Sequence, residues 1–480
     1  MMNLAPGVAG PGGPVDIGPQ EVAHAARAQE QRLHGLGVRA GDAVGWLAWN
    51  GVEGIGLLHA CEQLGARVVP LNWRLAAAEL ASIAEHAGLQ LLLHDAACEA
   101  LARSVHALLP AAVARAPGHQ AGDLMLVYTS GTTGTPKGAV HTAAAMRANV
   151  RAAVHTQGLG PGTRTLAVLP MFHVGGLCIQ VLPTLAAGGR VMLHPRFDPG
   201  AWLRDVRAWR PTTSLLVPAT MRAIVEHPDW PTADLSSLEF VSAGSSVVPP
   251  VLIEAFHARG VPVVQVYGST ETGPVSIVLP PGEARQHVGK VGRAAPGVRV
   301  RLLGPEGRDV PDGEVGEILV AGDNVMRGYH REPSHPSFQR GWFHSGDLAW
   351  RDTEGFYEVV GRSKDMVISG GENIYPAEIE NLLEGLPGLL ECAAVGLPDP
   401  QWGEVVVLAV VRAAGDEAGS GGGGAPGPGS RCDEPTIRAA LEGRLARYKH
   451  PKRIVFVTAL PKTALGKVQK SELVAQLQRD

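Results

Sequence analysis

Short apolar runs alternate with amphipathic segments along much of this chain, and that alternation limits the folds open to it more than any other feature. Residues 21–37 (EVAHAARAQEQRLHGLG) keep a helical periodicity up to Gly37, and GDAVGWLAW then reads as a strand. Gly51 to Leu64 reads as a helix and ARVVPLN as a second strand. In LAAAELASIAEHAG, Leu80, Ile83, Ala84 and Ala87 fall at helical spacing before Gly88 ends the segment. The rhythm returns over 201–268, where AWLRDVRAW and VLIEAFHARG are helical and TSLLVP, LEFVSAG and VPVVQVYG extended. Strands separated by ~10–15-residue helices build parallel sheet from β-α-β units. From about 296 to 360 short strands with turn signals take over (GVRVRLLG, GEILVAG, GFYEVVG), which predicts an antiparallel unit.

After Gly361 the pattern changes again. Pro376 sits at the first turn of a predicted helix, PAEIENLLEGL, with Ile379, Leu382, Leu383 and Leu386 on one face. CAAVGLP and VVVLAVV follow as strands, then a helix from Glu434 to Leu445 and a strand RIVFV. The expected fold class is therefore α/β. A large N-terminal domain, residues 1–361, holds stacked α/β sheets and a small antiparallel β subdomain; a small α+β C-terminal domain, residues 362–480, follows. Residues 414–429 (AGDEAGSGGGGAPGPG) form a polar insertion in it. The string GSGGGG there matches GxGxxG formally, but with no strand before it and no helix opening at it the dinucleotide reading fails.

Composition removes several function classes. The 480 residues are 45% apolar and 18% charged, enough for large cores. Lys+Arg 42 against Asp+Glu 46 leaves −4, so no basic excess invites nucleic acid or an acidic membrane surface. Five widely spaced cysteines without a CxxC pair fit reduced thiols better than disulfides or a zinc site. The opening MMNLAPGVAGPGGPVDIGP lacks the basic and apolar regions of a signal peptide. Thr165 to Gly189 carries no Asp, Glu, Lys or Arg, but Pro170, His173, Gly175, Gly176, Gln180 and Pro183 interrupt it. A buried core of strands and turns is expected there rather than a membrane span. The expectation is a cytoplasmic protein with no nucleic-acid partner and no stable membrane insertion.

The most informative chemistry lies at Tyr128 to Gly138, YTSGTTGTPKG, after the apolar run LMLV. Glycines and clustered Thr/Ser hydroxyls around one lysine let backbone N–H groups and side-chain donors wrap phosphate oxygens. It is not a Walker A loop: Gly131 and Gly134 are too close together, and Lys137 follows Pro136.

Further motifs follow in order: LPMFHVGGL (169–177), YGSTETG (267–273), GWFHSGDLA (341–349), GRSKDMVISGGENIYPAEIE (361–380) and PKTALGKVQK (461–470). GARVVPLNWRL and GEILVAGDNVMRGY, less specific, fill gaps between them. The ordered set resembles the acyl-adenylate-forming superfamily of acyl-CoA synthetases, aryl-CoA ligases, firefly luciferase and peptide-synthetase adenylation domains. The resemblance covers about residues 40 to 475. It departs in the glycine-rich insertion and in a short segment before residue 40, where part of the first helical layer or an edge strand is expected to be missing.

The resemblance implies a site for ATP, Mg²⁺, coenzyme A and a small-molecule carboxylic acid. Thr129, Ser130, Gly131, Thr132, Thr133, Gly134 and Lys137 would hold phosphates. Glu271, with the Thr129 hydroxyl, would hold Mg²⁺, as hard oxygen donors should. Tyr267, with Gly268 and Thr270 in the same motif, would face adenine opposite the Gly244–Ser245 backbone. Asp347 and Arg362 would hold ribose. His173 would orient the acyl carboxylate, and Lys467 would bridge that carboxylate and the α-phosphate. The resemblance further implies a mobile C-terminal domain that pivots near Lys364, with Gly370 and Gly371 lining a pantetheine channel. A local excess of 11 Lys/Arg over 5 Asp/Glu in residues 431–480 would meet CoA phosphates, although such a run is also a common solvated face.

The implied activity is an ATP-dependent carboxylic acid–CoA ligase working through acyl-AMP. The segments resembling the acyl pocket (171–180, 214–222, 242–248, 265–276) carry only Arg222 and Glu271 as charged side chains, which favours a monocarboxylate. TGPVS (272–276) is similar to hydroxycinnamate-CoA ligases, while the whole is as similar to bacterial fatty-acyl as to feruloyl-CoA synthetases. Aromatic and fatty acids both stay open, as do monomer and homodimer. Two other readings are an adenylating enzyme that loads a separate carrier-protein thiol and a nucleotide-binding sensor without turnover.

Overall fold

Parallel strands form where the alternation predicts them. The computed structural model describes residues 3–4, 12–110, 113, 118–129, 137–332, 334–370, 372–413, 432–463 and 467–479. Among these, four sheets form. A seven-stranded sheet runs in the order 3–4, 89–94, 43–47, 67–70, 123–129, 137–142, 328–329. An eight-stranded sheet runs 293–294, 277–278, 263–267, 240–244, 213–216, 164–167, 190–193, 15–17, its central strands all parallel. Helices Pro19–Gly35, Val52–Leu64 and Ala143–Gln157 lie between the two, because one core draws Val44, Leu93 and Val127 from the first sheet, Val191 and Leu193 from the second, and Leu33, Ile55 and Met146 from the helices.

The outer faces are covered by helices too. Leu80 and Ile83 of helix Ala77–Ala87 pack on Leu47, Leu89 and Leu126. Helices Pro199–Trp209, Pro218–Val225 and Pro250–Ala258 bring Trp202, Met221, Ile224 and Phe256 against Leu166, Leu216, Val241 and Val263. Full burial of each such side chain contributes ~1.5–3 kcal/mol. Trp202 is wholly buried without a stranded donor, since its indole N–H donates to Ser214 Oγ at 3.1 Å.

The antiparallel unit is a five-stranded sheet of strands 298–303, 316–322, 338–339, 342–351 and 357–362, packed through Ile318, Val320 and Phe356 on Val264 and Ile277. A smaller C-terminal domain follows, with a second five-stranded sheet between 367 and 456. Helices Pro376–Leu383 and Glu434–Leu441 cover one of its faces and Lys470–Leu477 the other.

Several local expectations need correction. Thr165 to Gly189 is largely helical: after strand Arg164–Ala167, helix runs from Val174 to Ala186 with a widened turn at Leu177–Val181. A helix buried on every side shows no polar face, which hid its period. The wide turn loosens the backbone where Pro183 would otherwise press on a preceding carbonyl. The helix expected to reach Leu445 stops at Leu441, with Gly443 at φ 72° beyond it, and Leu386 lies past the end of its helix at Leu383. Ahead of residue 40, strands 3–4 and 15–17 pair with Leu89–His94 and Arg190–Leu193. Residues 414–429 lie outside the described residues.

Candidate active site

Strands ending at Ala167, Leu216, Gly244 and Tyr267 are neighbours and run parallel, so their carboxyl ends share one edge. Open α/β sheets bind ligands beyond that edge. At Gly244 an added Cβ would lie 2.4 Å from the Val266 carbonyl oxygen, and at Gly268 one would lie 2.6 Å from the Pro274 carbonyl. Both positions require glycine. Ser245 adopts φ 75°, which for a non-glycine residue costs on the order of 1–2 kcal/mol and turns the chain sharply at the strand end.

Tyr267 caps its strand, and its hydroxyl donates to Asp347 Oδ2 at 2.9 Å. The other oxygen, Oδ1, takes the Arg362 guanidinium at 2.8 Å, and the two residues face each other across adjacent strands. Burial raises the Asp347 pKa, against the opposing pull of Arg362, the Tyr267 hydroxyl and Lys467. Arg362 is held charged, chiefly by Asp347.

A second group forms on the seven-stranded sheet. Thr129 and Lys137 pair across strands 123–129 and 137–142, and the Thr129 hydroxyl donates to the Lys137 carbonyl at 3.5 Å. Ser130, Gly131, Thr132, Thr133 and Gly134 lie outside the described residues. Lys137 Nζ stands 2.7 Å from His335 Nε2 and 5.6 Å from the centre of the Tyr329 ring. Tyr329 lies opposite Ala139, and its hydroxyl donates to Glu271 Oε1 at 2.8 Å. Burial first, then the Lys137 charge, lowers the His335 pKa, leaving a neutral ring that accepts from the ammonium. The Thr270 backbone lies beside the buried His141 ring, which brings the YGSTETG loop next to strand 137–142.

His173 stands just before helix Val174–Gly176, its ring 4.6 Å from that of Phe172. Its Nε2 is buried and has no hydrogen-bond partner among the described residues. Burial, then the Lys467 and Arg74 charges, pushes its pKa down to about 4, so it is neutral at physiological pH. Lys467 comes from the small domain, on a turn whose Thr463 N–H donates to the Lys467 carbonyl at 2.8 Å. More than a third of Lys467 is exposed, yet its ammonium end is crowded enough that burial, then Arg362, lowers its pKa, while Asp347 and Glu271 act the other way. One cation thus feels the Tyr267–Asp347–Arg362 group, Glu271 and His173 together.

The remaining candidates stand apart. Lys364 is exposed in the short turn Ser363–Asp365 between the two five-stranded sheets. Gly370 (φ 60°) bonds within the small domain, its N–H donating to the Trp402 carbonyl at 2.8 Å, and Gly371 lies outside the described residues. Arg222 is engaged by Glu384 of the small domain and by Glu226 at 3.8 Å. Tyr329, Arg74 and His335 were not singled out from sequence. The first two lie in GEILVAGDNVMRGY and GARVVPLNWRL, segments that served only as connecting likeness; His335 carried no signal.

Cations and hydroxyls that converge from two domains on a crevice at strand carboxyl ends form a setting for a phosphate-bearing ligand. The chain belongs to the AMP-binding enzyme family: residues 20–330 match that family and residues 378–467 match the AMP-binding enzyme C-terminal domain. It is 43% identical to indoleacetate–CoA ligase of Aromatoleum aromaticum, over 92% of this chain and 89% of the relative. It is 42% identical to feruloyl-CoA synthase of an Amycolatopsis species, over 92% and 90%. ATP-bound MatB from Rhodopseudomonas palustris superposes with a TM-score of 0.83 at 30% identity, covering 95% of this chain and 93% of that one. No helix among the described residues is long and apolar enough to cross a membrane.

Proposed function

We propose that this protein is an ATP-dependent acid–CoA ligase whose substrate is an aromatic monocarboxylate. The observation that carries the reading is the convergence of Lys467, from the small domain, with Asp347, Glu271 and His173 of the large one. In the first step a carboxylate oxygen attacks the α-phosphorus of ATP; the bond to the β-phosphate oxygen breaks and pyrophosphate leaves with its electron pair. Two anions must meet, so positive charge at the meeting point lowers the barrier. Lys467 and Lys137 supply it. Neutral His173, with its unpaired Nε2, orients the carboxylate without adding charge. Asp347 accepts from the ribose hydroxyls with Arg362 beside it, and Tyr267 packs on adenine. Magnesium, when bound, neutralises phosphate oxygens; Glu271 and the Thr129 hydroxyl are hard donors that would hold it, and so few protein ligands suit an ion held mainly by substrate phosphates.

In the second step the CoA thiolate attacks the acyl carbonyl and AMP leaves. We place the domain boundary at 361/362 and the pivot near Lys364, between the two five-stranded sheets, so that the loop at Gly370 and Gly371 exchanges with Lys467 at the site. The aromatic body is favoured because the two relatives act, by name, on indoleacetate and feruloyl acids. Trp49, Trp73, Phe172 and His173 also form a run of ring contacts at 6.2, 6.2 and 4.6 Å. A second carboxylate has no spare cation at Arg222, which Glu384 and Glu226 engage. Five cysteines outside any disulfide, four of them buried, fit a reducing cytoplasm. Pyrophosphate release measured over aromatic, aliphatic and dicarboxylic acids tests the reading: aromatic acids should lead, with CoA-dependent thioester formation. Release without thioester, or carrier-protein loading alone, would refute it.

A further inference from the structure

The small domain also touches the large one through an ion pair. Helix Pro376–Leu383 ends at Glu384, whose carboxylate meets the Arg222 guanidinium on helix Pro218–Val225 of the large domain. The contact is an ion pair by proximity. Beside it, a Cβ on Gly385 would lie 3.5 Å from a Val251 methyl, so the chain just past Glu384 packs on helix Pro250–Ala258. Arg222 retains a second carboxylate, Glu226, one turn along its own helix at 3.8 Å.

We infer that Arg222 and Glu384 are positioning residues that hold the small domain in the orientation where Lys467 reaches the site. This rests on the ligase reading above. The physics gives the pair its sign. Glu384 and Arg222 lie on different domains and meet only while these are docked as seen here. The side chains are 20% and 31% exposed, so their attraction is only partly screened by water. When the small domain swings away, Arg222 still has Glu226, which limits the cost of separation. The pair therefore favours adenylate formation and opposes departure toward thioester formation. Neither side chain touches the reacting atoms.

The test is a cycle of Arg222→Gln, Glu384→Gln and the double variant, each assayed for acyl-AMP formation in a single turnover and for thioester formation from supplied acyl-AMP and CoA. Each single variant should lose about three- to tenfold in adenylate formation, with the thioester step unchanged or faster. The double variant should fall no further than either single one, because the second substitution removes a partner already lost. Raising the salt concentration should slow adenylate formation in the unaltered protein and leave the variants flat. Equal losses in both half-reactions, or additive losses, would overturn the inference and mark the pair as merely structural. A second readout needs no turnover: spin labels at Leu108→Cys and Leu390→Cys report the domain separation. Their distance distribution should broaden in Glu384→Gln, and an unchanged distribution would also overturn the inference. If the unaltered protein forms no adenylate with any acid, the ligase reading fails, while the label distances still decide the latch.

Discussion

The residues proposed to hold ribose and the lysine proposed to act in adenylation are held in different ways. Tyr267, Asp347 and Arg362 are joined by direct bonds of 2.9 and 2.8 Å between strands packed on a shared core. Lys467, whose carbonyl accepts from the Thr463 N–H, reaches the same place from the small domain, which meets the large one at the Arg222–Glu384 ion pair. In the proposed reaction, the groups that bind are fixed before substrate arrives, and the lysine is brought to them. The expense of fixing a cation among Arg362 and burial, visible in the lowered Lys467 pKa, is met only while the domains are docked.

Substitutions should separate the two arrangements. Lys467→Ala should slow acyl-AMP formation by about 10²–10³-fold, the usual loss when one charge-stabilising donor is removed, and largely spare thioester formation from supplied acyl-AMP. Equal losses in stopped-flow assays of the two steps would erase the distinction. Lys364→Pro stiffens the pivot and should slow the thioester step relative to adenylation by about tenfold, ~1.4 kcal/mol of barrier. An unchanged ratio would argue against a swing. Asp347→Asn removes the charged acceptor from the fixed group; the ATP KM should rise roughly tenfold, or ~1.5 kcal/mol, at the low end because Arg362 is half exposed and screened by water.

Acid conditions act on the fixed side. His141, His173 and His330 are each depressed to about 4, chiefly by burial. A depressed histidine binds fewer protons folded than unfolded, so its contribution is whole above the unfolded value of about 6.5 and is lost as pH falls toward 4. The melting temperature should drop steadily over that window; a flat profile would show that these rings are hydrated. The smallest effect links the two sides. Because Lys467 contributes to lowering His173, Lys467→Ala should move the His173 NMR titration upward while burial keeps it below the ordinary range.

Much of this was legible in the residues. Periodicity located the sheets, since a strand buried on both faces and a helix buried on one leave different repeats. It failed over Val174–Ala186, where a helix that is almost wholly buried, with only apolar residues on its least covered side, shows no polar face. Ordered motifs gave Lys467, Glu271, Asp347 and Arg362. They could not give Tyr329 as the donor to Glu271, 58 residues away, or Glu384 as the partner of Arg222. Such pairings depend on how distant elements dock, and no local spacing encodes them.

Arg362 stands in register with Asp347 on the last residue of its strand, two positions before Lys364. The crank on which we propose that the small domain turns is thus pinned beside the proposed ribose site. Spent AMP and fresh ATP would grip that crank alike, so the signal to turn has to come from the phosphate end, where the two ligands differ.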